Sequence, residues 1–168
     1  MSKAGHKFVS ADPDKCVGCR ICEYVCAFEN DKVFNPLRSR IRVVRIYPTI
    51  NLSLTCRLCE DPPCVVACPR DALTQSEETG IINVDEDKCN GCGWCVEACD
   101  FGAISIHPDE KVAMVCDLCS HRPDKKPQCV EWCPEEALEL TNRDILAQRG
   151  RLDSVQKLLK AALEKEIF

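Results

Sequence analysis

Sixteen cysteines in four groups of four, with none left over, constrain this 168-residue chain more than any other feature. The groups read Cys16-x2-Cys19-x2-Cys22-x3-Cys26, Cys56-x2-Cys59-x4-Cys64-x3-Cys68, Cys89-x2-Cys92-x2-Cys95-x3-Cys99 and Cys116-x2-Cys119-x9-Cys129-x3-Cys133. Five Phe, two Trp and two Tyr leave little bulky apolar material for an ordinary core, so cross-links or metals must supply part of the stability. Cysteine at this density means disulfides in an oxidising compartment or metal ligation in a reducing one. Met1 to Ser10 carries no apolar h-region and no cleavage pattern. No stretch approaches the roughly 18 apolar residues of a membrane span. A cytoplasmic chain that binds metal through thiolates, with no direct membrane span, is the expectation.

The spacing selects among metals. Zinc sites join two Cys-x2-Cys pairs across a longer loop. Three cysteines at x2-x2 spacing crowd one side of a larger object and suit a cubane iron–sulfur cluster, with the fourth cysteine beginning a helix. Gly18, Gly91 and Gly93 stand where the loop must curl without a Cβ. Pro69 follows Cys68 and Pro134 follows Cys133, whereas Ala27 and Asp100 follow Cys26 and Cys99. Four groups predict four [4Fe–4S] clusters, with about sixteen irons and no zinc per chain. With a full set of thiolates for every cluster, no iron stays open to substrate. No phosphate-cradling loop, nucleophile elbow or carboxylate pair is present either. No catalytic residue is expected.

Cys68-Pro69-x2-Ala72-Leu73, then Val84-Asp85-x2-Lys88-Cys89-x-Gly91-Cys92 and Cys99-x2-Gly102-Ala103-Ile104, resemble a bacterial two-cluster ferredoxin. Val9-Ser10-Ala11-Asp12-x2-Lys15-Cys16-x-Gly18-Cys19 echoes the same lead-in. With the x4 and x9 variants, the chain resembles the four-cluster ferredoxin-like electron-transfer subunits of multi-subunit oxidoreductases. These serve molybdopterin and tungstopterin enzymes such as aldehyde oxidoreductases, hydrogenases and carbon monoxide dehydrogenase. The resemblance implies an α+β fold of two nested bacterial-type two-cluster ferredoxin-like modules with short hairpins and helices, plus a helical C-terminal tail. It implies a four-cluster domain over 8–140, with an inner module of about 50–104 and an outer one of about 8–49 plus 105–140. The tail is 141–168.

The same resemblance implies the ligand sets. One cluster takes Cys16, Cys19, Cys22 and Cys133, and a second takes Cys116, Cys119, Cys129 and Cys26. A third takes Cys56, Cys59, Cys64 and Cys99, and a fourth takes Cys89, Cys92, Cys95 and Cys68. Spacing alone leaves a serial pairing open, because the segment between the third and fourth groups is also ferredoxin-like.

Ala72–Thr74 and Ile81–Val84 around a polar turn read as a hairpin, as do Ala103–Ile106 and Lys111–Val115. Arg40 to Ile46, followed by Pro48, reads as a half-buried strand with a basic outer face. Its arginines, with Arg38, either offset cluster charge, dock an acidic partner or line a solvated edge. His121 and Arg122 beside Cys119, and Lys15 and Lys88 before their cysteines, either tune a cluster or sit in solvent. Trp94 and Trp132 flank ligand cysteines and are expected to shield them. Past Leu140, Thr141-x-x-Asp144 reads as a helix start and Gly150 as its stop. Asp153 or Ser154 then caps a second helix with Leu152, Val155, Leu158, Leu159, Ala162 and Leu163 on one face. That face either packs on the body or docks a partner.

The formal charge is −5; at about −2 per oxidised cluster with its thiolates, four clusters take it to roughly −13. Such a chain repels nucleic acid and suits basic faces of other proteins. The expected function is electron relay between a large catalytic oxidoreductase subunit and a soluble electron carrier such as ferredoxin, or a further redox subunit. Potentials near −400 mV are typical of ferredoxins, within a span of roughly −700 to +450 mV. Val33-Phe34-Asn35-Pro36-x2-Ser39-Arg40-Ile41 resembles a segment of the small subunits accompanying tungsten or molybdenum aldehyde-type oxidoreductases and carbon monoxide dehydrogenase. A free soluble polyferredoxin and a sensing module are the competing readings; the short tail argues against the sensor.

Overall fold

The computed structural model describes residues 6–46, 50–124 and 126–165. In chain order the elements are β1 (Phe8–Ala11), α1 (Ile21–Asp31), a 3-10 turn (Pro36–Arg38), β2 (Arg42–Ile46), β3 (Ile50–Leu54), α2 (Pro63–Val66), β4 (Leu73–Gln75), β5 (Ile82–Val84), α3 (Trp94–Glu97), β6 (Ser105–Ile106), β7 (Ala113–Met114), α4 (Gln128–Glu131), β8 (Leu138–Thr141) and α5 (Arg143–Lys165). It is a small mixed helix and strand fold. Among the described residues the strands form four two-stranded antiparallel ribbons, none of which merges into a larger sheet.

Both expected hairpins form. β4 pairs with β5 across a turn in which Gly80 N donates to Ser76 O at 2.9 Å. β6 pairs with β7, closed by His107 N donating to Val112 O at 2.7 Å. The expected basic strand is β2, and its partner is β3, with Arg42 opposite Leu54 and Ile46 opposite Ile50. The residues 47–49 that join them, Pro48 included, lie outside the described residues. β1 pairs with β8, Phe8 opposite Thr141, and so ties the first cysteine group to the last.

Two apolar clusters fill the interior, and cysteines belong to both. One gathers Leu58, Leu73, Ile82, Ile104 and Val115 with Cys56, Cys64, Cys95 and Cys116. The other gathers Val9, Ile41, Val43 and Leu138 with Cys22, Cys26 and Cys129. Most elements that supply the cores are short, so their thiols take the place of larger side chains.

The tail differs from the expectation in two ways. Its helix is capped by Asn142, whose side chain accepts from Ile145 N at 2.9 Å, because Thr141 is still engaged in β8. It also runs unbroken through Gly150, so the two expected helices are one. A glycine in a helix interior costs only about 1 kcal/mol, and no proline follows to stop the turn. Ser154 Oγ donates to Gly150 O at 2.7 Å there. Leu146 packs on the first core and Arg149 bonds Glu139, fixing the first turns to the body. Beyond them Leu152, Val155, Leu158 and Leu159 are exposed, Leu158 to 71 %. The alternative in which this face packs on the body does not hold for these residues; the side chain of Leu163 lies outside the described residues. Among the described residues no helix is long and apolar enough to cross a membrane.

Candidate metal centres

Every cysteine loop turns through left-handed backbone. Gly18 and Arg20 have positive φ in the first group, Leu58 in the second, Gly91 and Gly93 in the third, and Leu118 and Cys119 in the fourth. At Gly91 the freedom is required twice over: φ is +66°, and a Cβ there would run into the carbonyl oxygen of Lys111. Arg20, Leu58 and Leu118 adopt the same conformation without being glycine, which no pattern in the sequence reveals. Leu58 is held there by burial, at 1 % exposure.

Each loop runs into a helical turn that carries the third cysteine. α2, α3 and α4 are four-residue turns holding Cys64, Cys95 and Cys129, and α1 holds Cys22. The fourth cysteine follows one turn later, and in three groups the chain then reverses at a left-handed residue: Asp71, Gly102 or Glu136. The next amide thereby returns to the sulfur. Ala72 N donates to Cys68 Sγ at 3.3 Å, Ala103 N to Cys99 at 3.4 Å, and Ala137 N to Cys133 at 3.3 Å. Cys26 departs from this scheme because α1 continues to Asp31 and its amides stay in the helix. Arg40 N at 3.3 Å and Asn30 Nδ2 at 3.7 Å serve Cys26 instead. Donors aimed at sulfur suit thiolates bound to metal.

Cys16, Cys19, Cys22 and Cys133 line one cavity, with Val43, Ser53 and Leu138. Cys68, Cys89, Cys92 and Cys95 line another, with Leu73, Trp94 and Ile106. Among the remaining eight thiols, Cys59 and Cys99 disfavour ionisation of Cys56, and Cys56 and Cys99 that of Cys64. Cys116, Cys26 and Cys119 do the same to Cys129. Electrostatics does not divide these eight cleanly, for Cys56 acts on Cys116 and Cys22 on Cys129 as well.

Burial dominates the thiol chemistry. It pushes Cys22, Cys56 and Cys119 up to about 11 and Cys64 up to about 12, and drives Cys116 and Cys129 well above the ordinary range. Cys68 goes the other way: desolvation raises it, but amides of Arg70, Ala72 and Leu73 outweigh that and lower it. Buried thiols grouped this way need a cationic centre before they ionise. Among the described residues no three His, Cys, Asp or Glu side chains converge on a point that would hold a single ion. Two of the sets instead line a cavity, which suits a cubane.

Exposure is uneven. Cys19 and Cys92 reach the surface, whereas Cys26, Cys116, Cys119 and Cys129 are all buried.

The other expected residues fall out as follows. Trp94 and Trp132 are each 60 % exposed; Trp94 nonetheless lines the cavity of Cys68, Cys89, Cys92 and Cys95, whereas Trp132, just past α4, donates its indole N–H to Gln128. The basic strand is spent on its own chain. Arg38 pairs with Asp31 at 3.8 Å, Arg40 with Asp117 at 3.6 Å, Arg42 donates to Pro36 O and Arg45 to Gly18 O. His121 meets Glu29 at 3.1 Å, and Arg122 meets Glu29 and Asp124. Lys88 pairs with Asp85 at 3.0 Å, and Lys15 is exposed. Two buried polar groups were not anticipated. Glu23 accepts from Val43 N at 2.7 Å, and Ser53 Oγ faces Cys16 and Cys22. Ser53 enters through the pairing of β2 with β3, to which local pattern gives no clue.

The family model for the 4Fe-4S dicluster domain matches residues 48–143. The chain is 46% identical to the polyferredoxin-like subunit of aliphatic sulfonate oxidoreductase from Pyrococcus furiosus, over 73% of this chain and 69% of that one. It is 40% identical to the putative electron transport protein YsaA of Escherichia coli K12, over 88% and 96%. Identity to the E. coli K12 electron transport protein HydN is 34%, over 85% and 92%. A solved structure of the active site complex BamBC of benzoyl coenzyme A reductase with zinc aligns at a TM-score of 0.50 and 27% identity, covering 94% of this chain and 99% of that one. Cysteine loops built to present sulfur to a cubane, together with these matches, make the chain a member of the 4Fe-4S dicluster domain family, an iron–sulfur electron-transfer protein with four [4Fe–4S] clusters.

Proposed function

We propose that the four clusters are held by nested ligand sets and form a relay inside an oxidoreductase complex. Cys16, Cys19 and Cys22 act with Cys133; Cys116, Cys119 and Cys129 with Cys26; Cys56, Cys59 and Cys64 with Cys99; and Cys89, Cys92 and Cys95 with Cys68. The observation that carries the reading is the company each fourth cysteine keeps. Cys133 shares a cavity with the first group, and Cys68 with the third. The second apolar core draws only on 8–49 plus 105–140, which supports an outer module, while the first joins residues 56–104 to Phe8, Ala113, Val115 and Cys116.

When bound, the clusters supply one-electron exchange, and four thiolates apiece keep substrate off the irons. The chain's part is to hold them in line and control access. Cys22 acts electrostatically on Cys129, and Cys56 on Cys116. α2 packs on α3, bringing the Cys64 and Cys95 turns together. These neighbours favour the order first group, fourth, second, third. Cys19 and Cys92 are the exposed cysteines, and they fall at the two ends of that line. Buried thiols between exposed ends suit a conductor with two ports, not a catalyst.

One port faces a large catalytic subunit and the other a ferredoxin-like carrier or a further redox subunit. The P. furiosus relative is a subunit of an aliphatic sulfonate oxidoreductase, which supports an enzyme-bound role. A tungsten- or molybdenum-pterin aldehyde-type enzyme is the partner we favour, on the Val33–Ile41 segment. The uncovered face of α5 gives such a subunit an apolar surface to bury.

Two experiments test this. Cys16→Ser and Cys133→Ser should each alter the same one of four resolved paramagnetic signals, whereas a serial pairing would have them alter different ones. Anaerobic purification of the native protein should bring down a large subunit containing tungsten or molybdenum, with about sixteen irons on this chain. Recovery of the chain alone would make it a free polyferredoxin.

A further inference from the structure

Two hairpins lie over the two end sites in matching positions. The β6–β7 hairpin sets Lys111 O against Gly91, lines the cavity with Ile106, and donates Ala113 N to Cys89 Sγ at 3.4 Å. The β2–β3 hairpin sets Asn51 against Gly18, holds the Gly18 carbonyl with Arg45, and lines its cavity with Val43 and Ser53. The donors differ in kind. At Cys89 the donor is a backbone amide, which almost any sequence supplies. Over the first group it is a side chain.

Ser53 Oγ stands 3.8 Å from Cys16 Sγ and 3.7 Å from Cys22 Sγ, with the residue 6 % exposed. Among the described residues these sulfurs are its hydrogen-bond partners, and a buried hydroxyl needs one. As metal-bound thiolates, Cys16 and Cys22 carry no proton, so the hydroxyl must be the donor. A donor to ligand sulfur favours the more negative oxidation state.

We infer that Ser53 is a tuning residue: its O–H raises the potential of the one cluster held by Cys16, Cys19, Cys22 and Cys133, and thereby sets the driving force at the Cys19 port. This rests on the ligand set proposed above. The exchange is balanced by one electron in from an external one-electron carrier and one out to the next site. The hydroxyl keeps its proton throughout.

The test is a redox titration of the anaerobic holoprotein, read by the paramagnetic signal of each cluster. Ser53→Val and Ser53→Thr have the same size and differ in the hydroxyl. In Ser53→Val the ratio of reduced to oxidised form of one cluster at a given potential should fall about tenfold, equal to roughly 59 mV for a one-electron couple. The other three should hold their values, and iron content should be unchanged. Ser53→Thr should retain the parent potential. Equal potentials in the two variants, or a common shift in all four clusters, would overturn the role. If the shifted signal responds to Cys16→Ser but not to Cys133→Ser, the ligand set is wrong while Ser53 keeps its part. Should Ser53→Val lose iron, Ser53→Ala against Ser53→Thr gives the same comparison.

Discussion

Replacing Gly91 with alanine separates two effects that glycines in cysteine loops usually confound. Gly91, Gly18 and Gly93 all have left-handed backbone, at φ of +66°, +69° and +86°. An alanine at any of them carries a conformational cost of about 1–2 kcal/mol. Their surroundings differ. Nothing lies within 4 Å of a Cβ on Gly93, so Gly93→Ala should cost the backbone term and little more. On Gly18 a Cβ meets Asn51 Oδ1 at 2.6 Å, and that is the end of a side chain able to swing aside. On Gly91 it strikes the Lys111 carbonyl, which is backbone inside the β6–β7 turn. The hairpin must lift, and lifting it withdraws Ala113 N from Cys89 Sγ.

A hydrogen bond to a charged acceptor is worth about 1.5–3 kcal/mol, so Gly91→Ala should exceed Gly93→Ala by roughly that much. If iron escapes from a briefly opened loop, that excess of about 1.5–3 kcal/mol enlarges the open population roughly 12- to 150-fold. The assay is anaerobic decay of the visible iron–sulfur absorption under an iron chelator. Gly91→Ala should bleach fastest, Gly18→Ala more slowly and Gly93→Ala slowest. Equal rates for Gly91→Ala and Gly93→Ala would refute the reasoning, since backbone strain alone would then account for both.

Ile41, 1 % exposed in the second core, should lose about 2–5 kcal/mol on Ile41→Ala, seen as a lower thermal midpoint. Ile46→Ala, at a residue 60 % exposed on the same hairpin, should stay within about 0.5 kcal/mol. His107 is buried, accepts from Asp109 N and Glu110 N, and meets Asp31 at 3.1 Å. His107→Ala orphans those groups at about 1–3 kcal/mol each, and faster hydrogen exchange of the Asp109 and Glu110 amides should report it. Ending the chain at Asn142 removes α5; iron content should be unchanged, and recovery of the large subunit with the chain should fall.

The cysteine spacings made the metal chemistry legible, because three thiols at x2-x2 spacing leave a loop almost no other way to curl. The β4–β5 and β6–β7 hairpins were legible for a similar local reason, each having a polar turn between apolar runs. What escaped notice depends on partners far away in the chain. β2 reads as a strand, but nothing nearby says that β3 will lie against it and bring Ser53 to Cys16. Arg38, Arg40, Arg42 and Arg45 could have offset cluster charge, docked a partner or lined a solvated edge, yet Asp31, Asp117, Pro36 and Gly18 claim them. Trp94 and Trp132 both read as shields because they adjoin ligands in sequence, yet only Trp94 lines a cysteine cavity, since neighbours on a helical turn point in different directions. Gly150 read as a stop because single-residue rules ignore the helix formers on both sides.

The thiols are also core residues, and this ties folding to metal. Cys56, Cys64, Cys95 and Cys116 belong to one apolar cluster, and Cys22, Cys26 and Cys129 to the other. Around them stand elements as short as two to five residues, too small to hold a core by themselves. A thiol buried beside other thiols, as Cys129 is beside Cys116 and Cys26, resists ionisation until iron replaces its proton. Loading the clusters therefore closes the interior, and removing iron should open both cores. The exposed Cys19 and Cys92 stand at the edge of this arrangement. Burial that favours tight holding in the middle gives way there to the access that electron exchange requires.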